Sequence, residues 1–314
     1  MTERENCIKA LKRQNPEWIP LFHKAIQQVA LSPVLERQDF GTDWFGVTWI
    51  DSIPDNIDPL LKDVCDWKEA LKFPDVDGLN WGLAKHDCSK IDRENKIIWA
   101  PCRVGLFERM HSFMGIENTL VSLYTEPDSI RELINTYTDH KLKVVENVLK
   151  HYDPDIVSIH DDYGTQRALF MNPVVWREYF KENLKRIVDL VHSYGKIFVM
   201  HCCGKVDEIV GDFVEIGIDV WDSVQACCDL PALAEKYADK ISFTPGLNGQ
   251  IISFATPEEA REEVRRTIRT LGRFGGLMPH DSPPRVAQEV VDAIRDEIEV
   301  FGRAFFLENS ISQG

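Results

Sequence analysis

The sequence predicts an α/β fold in which one parallel sheet closes into a (β/α)₈ barrel, residues 1–314 forming a single domain. Three observations carry that reading. From residue 96 onward, short apolar stretches alternate with amphipathic helical ones, the pattern of parallel strands covered by helices. No Gly-x-Gly-x-x-Gly follows an early strand, which removes the main support for an open dinucleotide-binding sheet with the same alternation. Finally, His23, His160, His201 and His280 all fall where apolar strands end, and the strand ends are where a barrel of this kind builds its active site.

The elements follow in order. Thr2 and Glu5 form a capping box for a first helix carrying Ile8, Ala10 and Leu11, and Asn15-Pro16 ends it. Trp18–Phe22 reads as a short buried strand. Residues 24–95 complete an irregular N-terminal third, with Trp44–Trp49 strand-like and a hairpin expected around Arg93–Asn95. Beyond it, strands are expected at Ile97–Cys102, Asp155–His160, Lys196–His201, Ile218–Val224, Lys240–Thr244 and Gly275–Met278. The helices between them run from Glu126-Pro127 to about Lys150, from Asn172-Pro173 to Tyr194-Gly195, and from Lys205 to Ile216, which Gly217 closes. Three more follow, at Pro231–Tyr237, from Thr256-Pro257 to Leu271-Gly272, and from Ser282-Pro283-Pro284 to Gly302. With the strand near residue 20 this gives seven, and an eighth is expected within the irregular third.

Lys plus Arg is 36 against 51 for Asp plus Glu, a formal charge of −15. Such a balance repels phosphate and argues against a general nucleic-acid or anionic-membrane partner. No apolar run approaches the ~20 residues of a membrane helix, and Met1–Glu5 does not open a signal peptide. A cytoplasmic chain with reduced thiols is therefore expected. The adjacent pairs Cys202-Cys203 and Cys227-Cys228 are read as metal or catalytic candidates before disulfides.

The strand ends supply the candidate chemistry: Cys102-Arg103, His160-Asp161-Asp162, His201-Cys202-Cys203, Gln225 with Cys227-Cys228, Gly246 and Asn248, and His280-Asp281. His201 and Cys203 are two apart and share one face of an extended segment, while Cys202 points into the packing. Imidazole and thiolate so placed suit zinc, with an open position for catalysis. His280 offers a third nitrogen from another strand end. The plainer alternatives are a core cysteine beside a surface histidine, and a helix-cap role for His280. Of Asp161 and Asp162 at most one lines the site; Asp162 and His160 are the candidates to orient a ligand or shuttle a proton. Arg103, Gln225 and Asn248 are the candidate substrate contacts. Glu108 and Arg109 read equally well as a solvated ion-pair network.

These residues also carry a resemblance. Asp161-Asp-Tyr-Gly-Thr-Gln166, Asn172-Pro173, His201-Cys-Cys-Gly204 and Ile216–Gln225 resemble the uroporphyrinogen decarboxylase superfamily. The opening segment from Arg4 to Pro20, Asp43–Trp49, Thr256–Glu259 and Gly275-Gly276 extend the likeness over nearly the whole chain. True decarboxylases carry an Arg-Gln-Ala-Gly-Arg-Tyr type signature whose arginines hold porphyrinogen carboxylates; the stretch Pro20–Gln38 has Arg37 alone. The cobalamin-linked methyltransferase branch carries His-x-Cys-Gly, which His201, Cys203 and Gly204 match. In coenzyme M enzymes the third ligand is a Cys within Gly-Cys-Gly. Met278-Pro279-His280 is instead similar to the Pro-Ser-His form of methoxyaromatic demethylase relatives. The resemblance thus implies a zinc-dependent, O-demethylase-type methyltransferase with His201, Cys203 and His280 as ligands. Its methyl donor or acceptor would be a small molecule, and its cobalamin would arrive on a separate corrinoid protein, because no Asp-x-His-x-x-Gly motif is present. A cofactor-free uroporphyrinogen decarboxylase and a non-catalytic tetrapyrrole- or corrinoid-binding barrel are the alternatives.

Overall fold

The computed structural model describes residues 1–245 and 247–311. Its main sheet has six parallel strands: β1 (Ile26–Gln28), β5 (Ile97–Val104), β6 (Ile156–His160), β7 (Ile197–His201), β8 (Val220–Val224) and β9 (Ser242–Pro245), adjacent in that order. A small antiparallel sheet of β2 (Phe40–Thr42), β3 (Thr48–Ile50) and β4 (Ile53–Pro54) lies in the insertion between β1 and β5. Helices Pro127–Tyr152, Glu182–Ser193, Leu230–Tyr237 and Pro257–Leu271 follow their strands as crossovers, and Gln288–Ile311 is the last described element.

The chain beyond the helix Pro257–Leu271 continues the sheet with hydrogen bonds but only one bridge, Phe243 to Leu277. Phe243 N donates to Gly276 O, Met278 N to Phe243 O and His280 N to Pro245 O. This segment and the β1 edge then meet through side chains: His23 Nδ1 lies 2.8 Å from Asp281 Oδ2, and the Phe22 and His280 rings are 4.9 Å apart. The fold is α/β with a curled six-stranded sheet and a seventh edge segment; among the described residues an eighth laddered strand is not formed.

Two apolar layers sit either side of the sheet. One, inside the curl, takes Ile26, Ile97, Trp99, Ile156, Ile197, Val199, Val220 and Met278 from the strands, closed below by Cys7 and Leu11 of the helix Glu3–Leu11. The larger one packs the outer helices on the other face. Side chains alternate along a strand, so the inward row on β7 reads Ile197, Val199, His201, and on β8 Val220, Asp222. The lower curl is apolar and the upper end polar, which positions the site.

Three local expectations need correction. Trp18–Phe22 is not a strand: Phe22–Ala25 is a short helix and β1 follows it. Pro20 lacks the N–H a ladder needs there. No hairpin forms at 90–99, because Asp92 accepts the amides of Glu94 and Asn95 in a local turn, and β5 pairs in parallel on both sides. Trp44–Trp49 is mostly a turn around Asp43, whose carboxylate accepts from Phe45 N, Val47 N, the Trp49 indole and Arg109. No helix among the described residues is long and apolar enough to cross a membrane.

Candidate functional site

The polar end of the curl is organised by Asp222. Its Oδ2 lies 2.7 Å from His201 Nδ1, its Oδ1 lies 2.7 Å from His280 Nε2, and Thr244 Oγ1 donates to Oδ1 at 2.5 Å. One carboxylate thus joins β7, β8, β9 and the last strand-like segment. Burial opposes ionisation of Asp222, but the two histidine contacts outweigh it and hold its carboxyl well below the usual range.

With Nδ1 engaged, His201 turns Nε2 toward Cys203, whose Sγ is 3.6 Å away. Asp162 Oδ1 accepts from Cys203 N at 2.7 Å. Donor atoms of Asp162, His201 and Cys203 all lie within 4.8 Å of one another. Cys202 is fully buried on the opposite face, its Sγ 3.5 Å from Tyr163 N and its carbonyl bonded by the Trp221 indole. The set of one carboxylate, one imidazole and one thiol fits a zinc-type cation, and Asp222 behind His201 fixes the tautomer such a ligand needs. Burial disfavours a proton on His201, yet Asp222 and Cys203 together raise its imidazole well above the ordinary value. The surplus of negative charge that draws a proton there would equally draw a divalent cation.

The surrounding backbone is shaped for this cluster. The ladder of β8 shifts register between Asp222 and Val224, and Ser223 sits at φ 64°, an uncommon conformation for a residue with a side chain. That twist brings Ser223 Oγ to 3.2 Å from Cys203 Sγ. Gly204, at φ 85°, runs so close to Gly164 that a Cβ would overlap the Gly164 carbonyl.

Of the other sequence candidates, His160 stacks on His201 with centroids 4.3 Å apart. Burial, then the charges of His201, Arg103 and Arg37, push its pKa down, so it is neutral at physiological pH. Asp161 is not part of the cluster. It accepts from Leu106 N, Phe107 N and Glu108 N and from the Tyr163 hydroxyl, capping the helix Leu106–Met114 from a neighbouring strand. His280 is held on Asp222 and lies outside the compact donor set. Gln225 Oε1 accepts from Gly204 N and Gln166 Nε2, tying three loops together. Asn248 N donates to Glu263. Arg103 is exposed and lines a cleft with Arg37. Gly246 lies outside the described residues.

Sequence reasoning missed Asp222, although strand alternation from Val220 places it inward. It read Glu108 equally well as part of a solvated ion-pair network. Its carboxyl is pushed well above its usual value by burial, then by the charges of Asp162 and Asp161. A half-buried acid on the first turn of a helix cannot be told from a surface helix residue by spacing alone.

A family model for uroporphyrinogen decarboxylase (URO-D) matches residues 104–297, more than half of the chain and containing Asp162, His201, Cys203, Asp222 and His280. The chain belongs to the uroporphyrinogen decarboxylase family. It is similar in structure to a methyltransferase from Methanosarcina mazei, with TM-score 0.64 and 13% identity, covering 98% of this chain and 99% of that one. At that identity the likeness establishes the fold. A Prevotella bryantii endo-beta-mannanase/endo-beta-glucanase also aligns, at TM-score 0.31 and 9% identity over 91% of this chain and 51% of that one, too low to bear on the argument. No curated protein matches by sequence.

Proposed function

We propose that this chain is a zinc-dependent methyltransferase of the uroporphyrinogen decarboxylase family. It moves a methyl group between a small methylated substrate and the cobalamin of a separate corrinoid protein, in the cytoplasm. A methoxylated aromatic is the leading substrate. The observation that carries the reading is the Asp162–His201–Cys203 cluster with Asp222 behind its histidine. A decarboxylase working without a cofactor has no need of a thiol and an imidazole so arranged. The fold shared with the Methanosarcina mazei methyltransferase supports the same branch.

His201 Nε2 and Cys203 Sγ hold the metal. As the side chains stand, Asp162 is the third donor; His280, the donor expected from the last strand, joins by exchanging its bond to Asp222. When bound, zinc supplies Lewis acidity at the substrate heteroatom, making it a better leaving group. Glu108, whose carboxyl burial and the charges of Asp162 and Asp161 push well above its usual value, is the candidate to give a proton to the departing oxygen, and His160 stacks on the His201 ring. Arg103, Gln225 and Asn248 are the substrate-side contacts in this reading.

The test is metal content followed by turnover. Purified protein should hold about one zinc per chain, lost in Cys203→Ala and largely kept in Cys202→Ala. Asp162→Asn and His280→Ala, compared for zinc affinity, identify the third ligand. Methoxyarenes incubated with a reduced corrinoid protein should yield methyl-cobalamin. Loss of carboxylates from uroporphyrinogen, with none of this, would overturn the proposal in favour of a decarboxylase.

A further inference from the structure

Among the described residues, seven that are not glycine have positive φ. Six of them lie in turns and loops; Ser223, at φ 64°, alone lies inside a strand. There the Cβ crowds its own backbone, and such a conformation persists only where the surroundings hold it. The pattern along β8 shows what the conformation achieves. Val220 joins the apolar layer inside the curl and Trp221 the layer outside, as alternation requires. Asp222 then faces in, onto His201 and His280. Regular alternation would send Ser223 outward and Val224 inward. Instead Val224 joins the outer layer with Trp221, and Ser223 reaches Cys203. The register shift between Asp222 and Val224 is thus a bulge that turns two successive side chains onto one site.

Those two side chains divide the cluster between them. Asp222 Oδ2 lies 2.7 Å from His201 Nδ1, and Ser223 Oγ lies 3.2 Å from Cys203 Sγ. His201 Nε2 and Cys203 Sγ are themselves 3.6 Å apart. A thiolate that holds a metal has no proton to give, so toward it the hydroxyl is the donor. We infer that Ser223 is a positioning residue of the metal centre: its hydroxyl donates to Cys203 Sγ and aims the sulfur beside His201 Nε2, and the bulge in β8 delivers this contact together with that of Asp222. A hydrogen bond to the sulfur also draws electron density from it, which leaves a bound cation the stronger Lewis acid toward an ether oxygen. The inference rests on the metal centre proposed above; the part of Ser223 within it rests on the bulge and on these contacts.

Uptake of zinc and of cobalt(II), its coloured substitute, by the purified full chain tests the role. Zinc affinity is read by competition with a chelator, and cobalt by its thiolate-to-metal charge-transfer band, which Cys203→Ala should abolish. Ser223→Ala removes the hydroxyl and keeps the strained backbone. Zinc affinity should fall about tenfold, and the cobalt band should move to longer wavelength because the sulfur has lost its hydrogen bond. Ser223→Gly removes the hydroxyl and relieves the backbone. It should show the same loss and the same spectral shift, yet unfold at a higher urea concentration than Ser223→Ala. Equal losses in two variants of unequal stability cannot come from a general loosening of the fold. Wild-type affinity and an unmoved band in both variants, or a loss confined to Ser223→Ala, overturns the role of the hydroxyl and leaves the metal centre standing. A wild-type chain that takes up neither metal overturns the metal centre, and the role of Ser223 falls with it.

Discussion

At the scale of single residues, Asp222 decides more than any candidate metal ligand. Its side chain is 6% exposed and its two oxygens hold two histidines and a threonine. A histidine ligand needs its far nitrogen pinned, or the ring turns and the tautomer is lost. Asp222→Asn keeps the shape but replaces one acceptor oxygen with a donor amide, so His201 and His280 can no longer both be satisfied. Zinc affinity, measured by competition with a chromophoric chelator, should fall roughly 10- to 100-fold, with the secondary structure retained. Unchanged affinity would mean that His201 is oriented by its stacking on His160 instead. Strand alternation made His201 and Cys203 readable as one face and Cys202 as the other. It could not show Ser223 at φ 64°, because a register shift in β8 is set by the neighbouring strand and not by local composition.

At the scale of elements, Asp161 links β6 to the helix Leu106–Met114, and so fixes where Glu108 and Arg109 stand. Glycine at 105 is required by this arrangement, since a Cβ would overlap the Asp161 side chain. Burial pushes the Asp161 carboxyl up to about 6, with three amides and a phenol opposing the rise. Asp161→Ala removes the acceptor for all four donors. Losing a helix cap costs about 1–2 kcal/mol, and each buried donor left unpaired adds about 1–3 kcal/mol. Urea unfolding should show a loss of about 3 kcal/mol or more, and Asp161→Asn a smaller one. A loss below about 1 kcal/mol would show that the helix start is not held by this residue. The regular helices were legible because their capping residues and 3.6-residue stripes are local signals: Thr2 with Glu5, Thr256 with Glu259, and Asn172 all cap as expected. The strand β1 was not legible. It is three residues long and reads Ile-Gln-Gln, too short and too polar to give an apolar run or an alternation. The insertion between β1 and β5 was equally opaque, since its order comes from a buried network, Arg109 with Asp43 and Lys141 with Glu36, whose partners lie far apart in sequence.

At the scale of the molecule, the candidate metal cluster and the fold are coupled but separable. The edges of the sheet are joined by His23–Asp281 and by packing of Cys7 on Met278, and the two apolar layers form without any contribution from Asp162, His201 or Cys203. The chain should therefore stay folded when metal is removed, unlike small domains whose cores are built around zinc. The candidate ligands nonetheless come from two separate strand ends, and Asp222 extends their reach to three more segments. An ion bound only by the native state adds about 2.7 kcal/mol at a hundredfold excess over Kd. In a chain of this size that corresponds to roughly 5 °C in Tm, taking about 2–4 °C per kcal/mol for domains of 150–250 residues and less for longer ones. Chelation should lower Tm by about that amount, leave the far-ultraviolet circular dichroism at 25 °C unchanged, and be reversed by added zinc. Cys203→Ala should show the lower Tm from the start and no response to chelator or zinc. Cys202→Ala should respond like the wild type, from a baseline lowered by the small cavity it leaves. Collapse of the dichroism on chelation would mean that the fold depends on the metal, and a wild-type Tm indifferent to both treatments would remove the metal centre from the description of this protein.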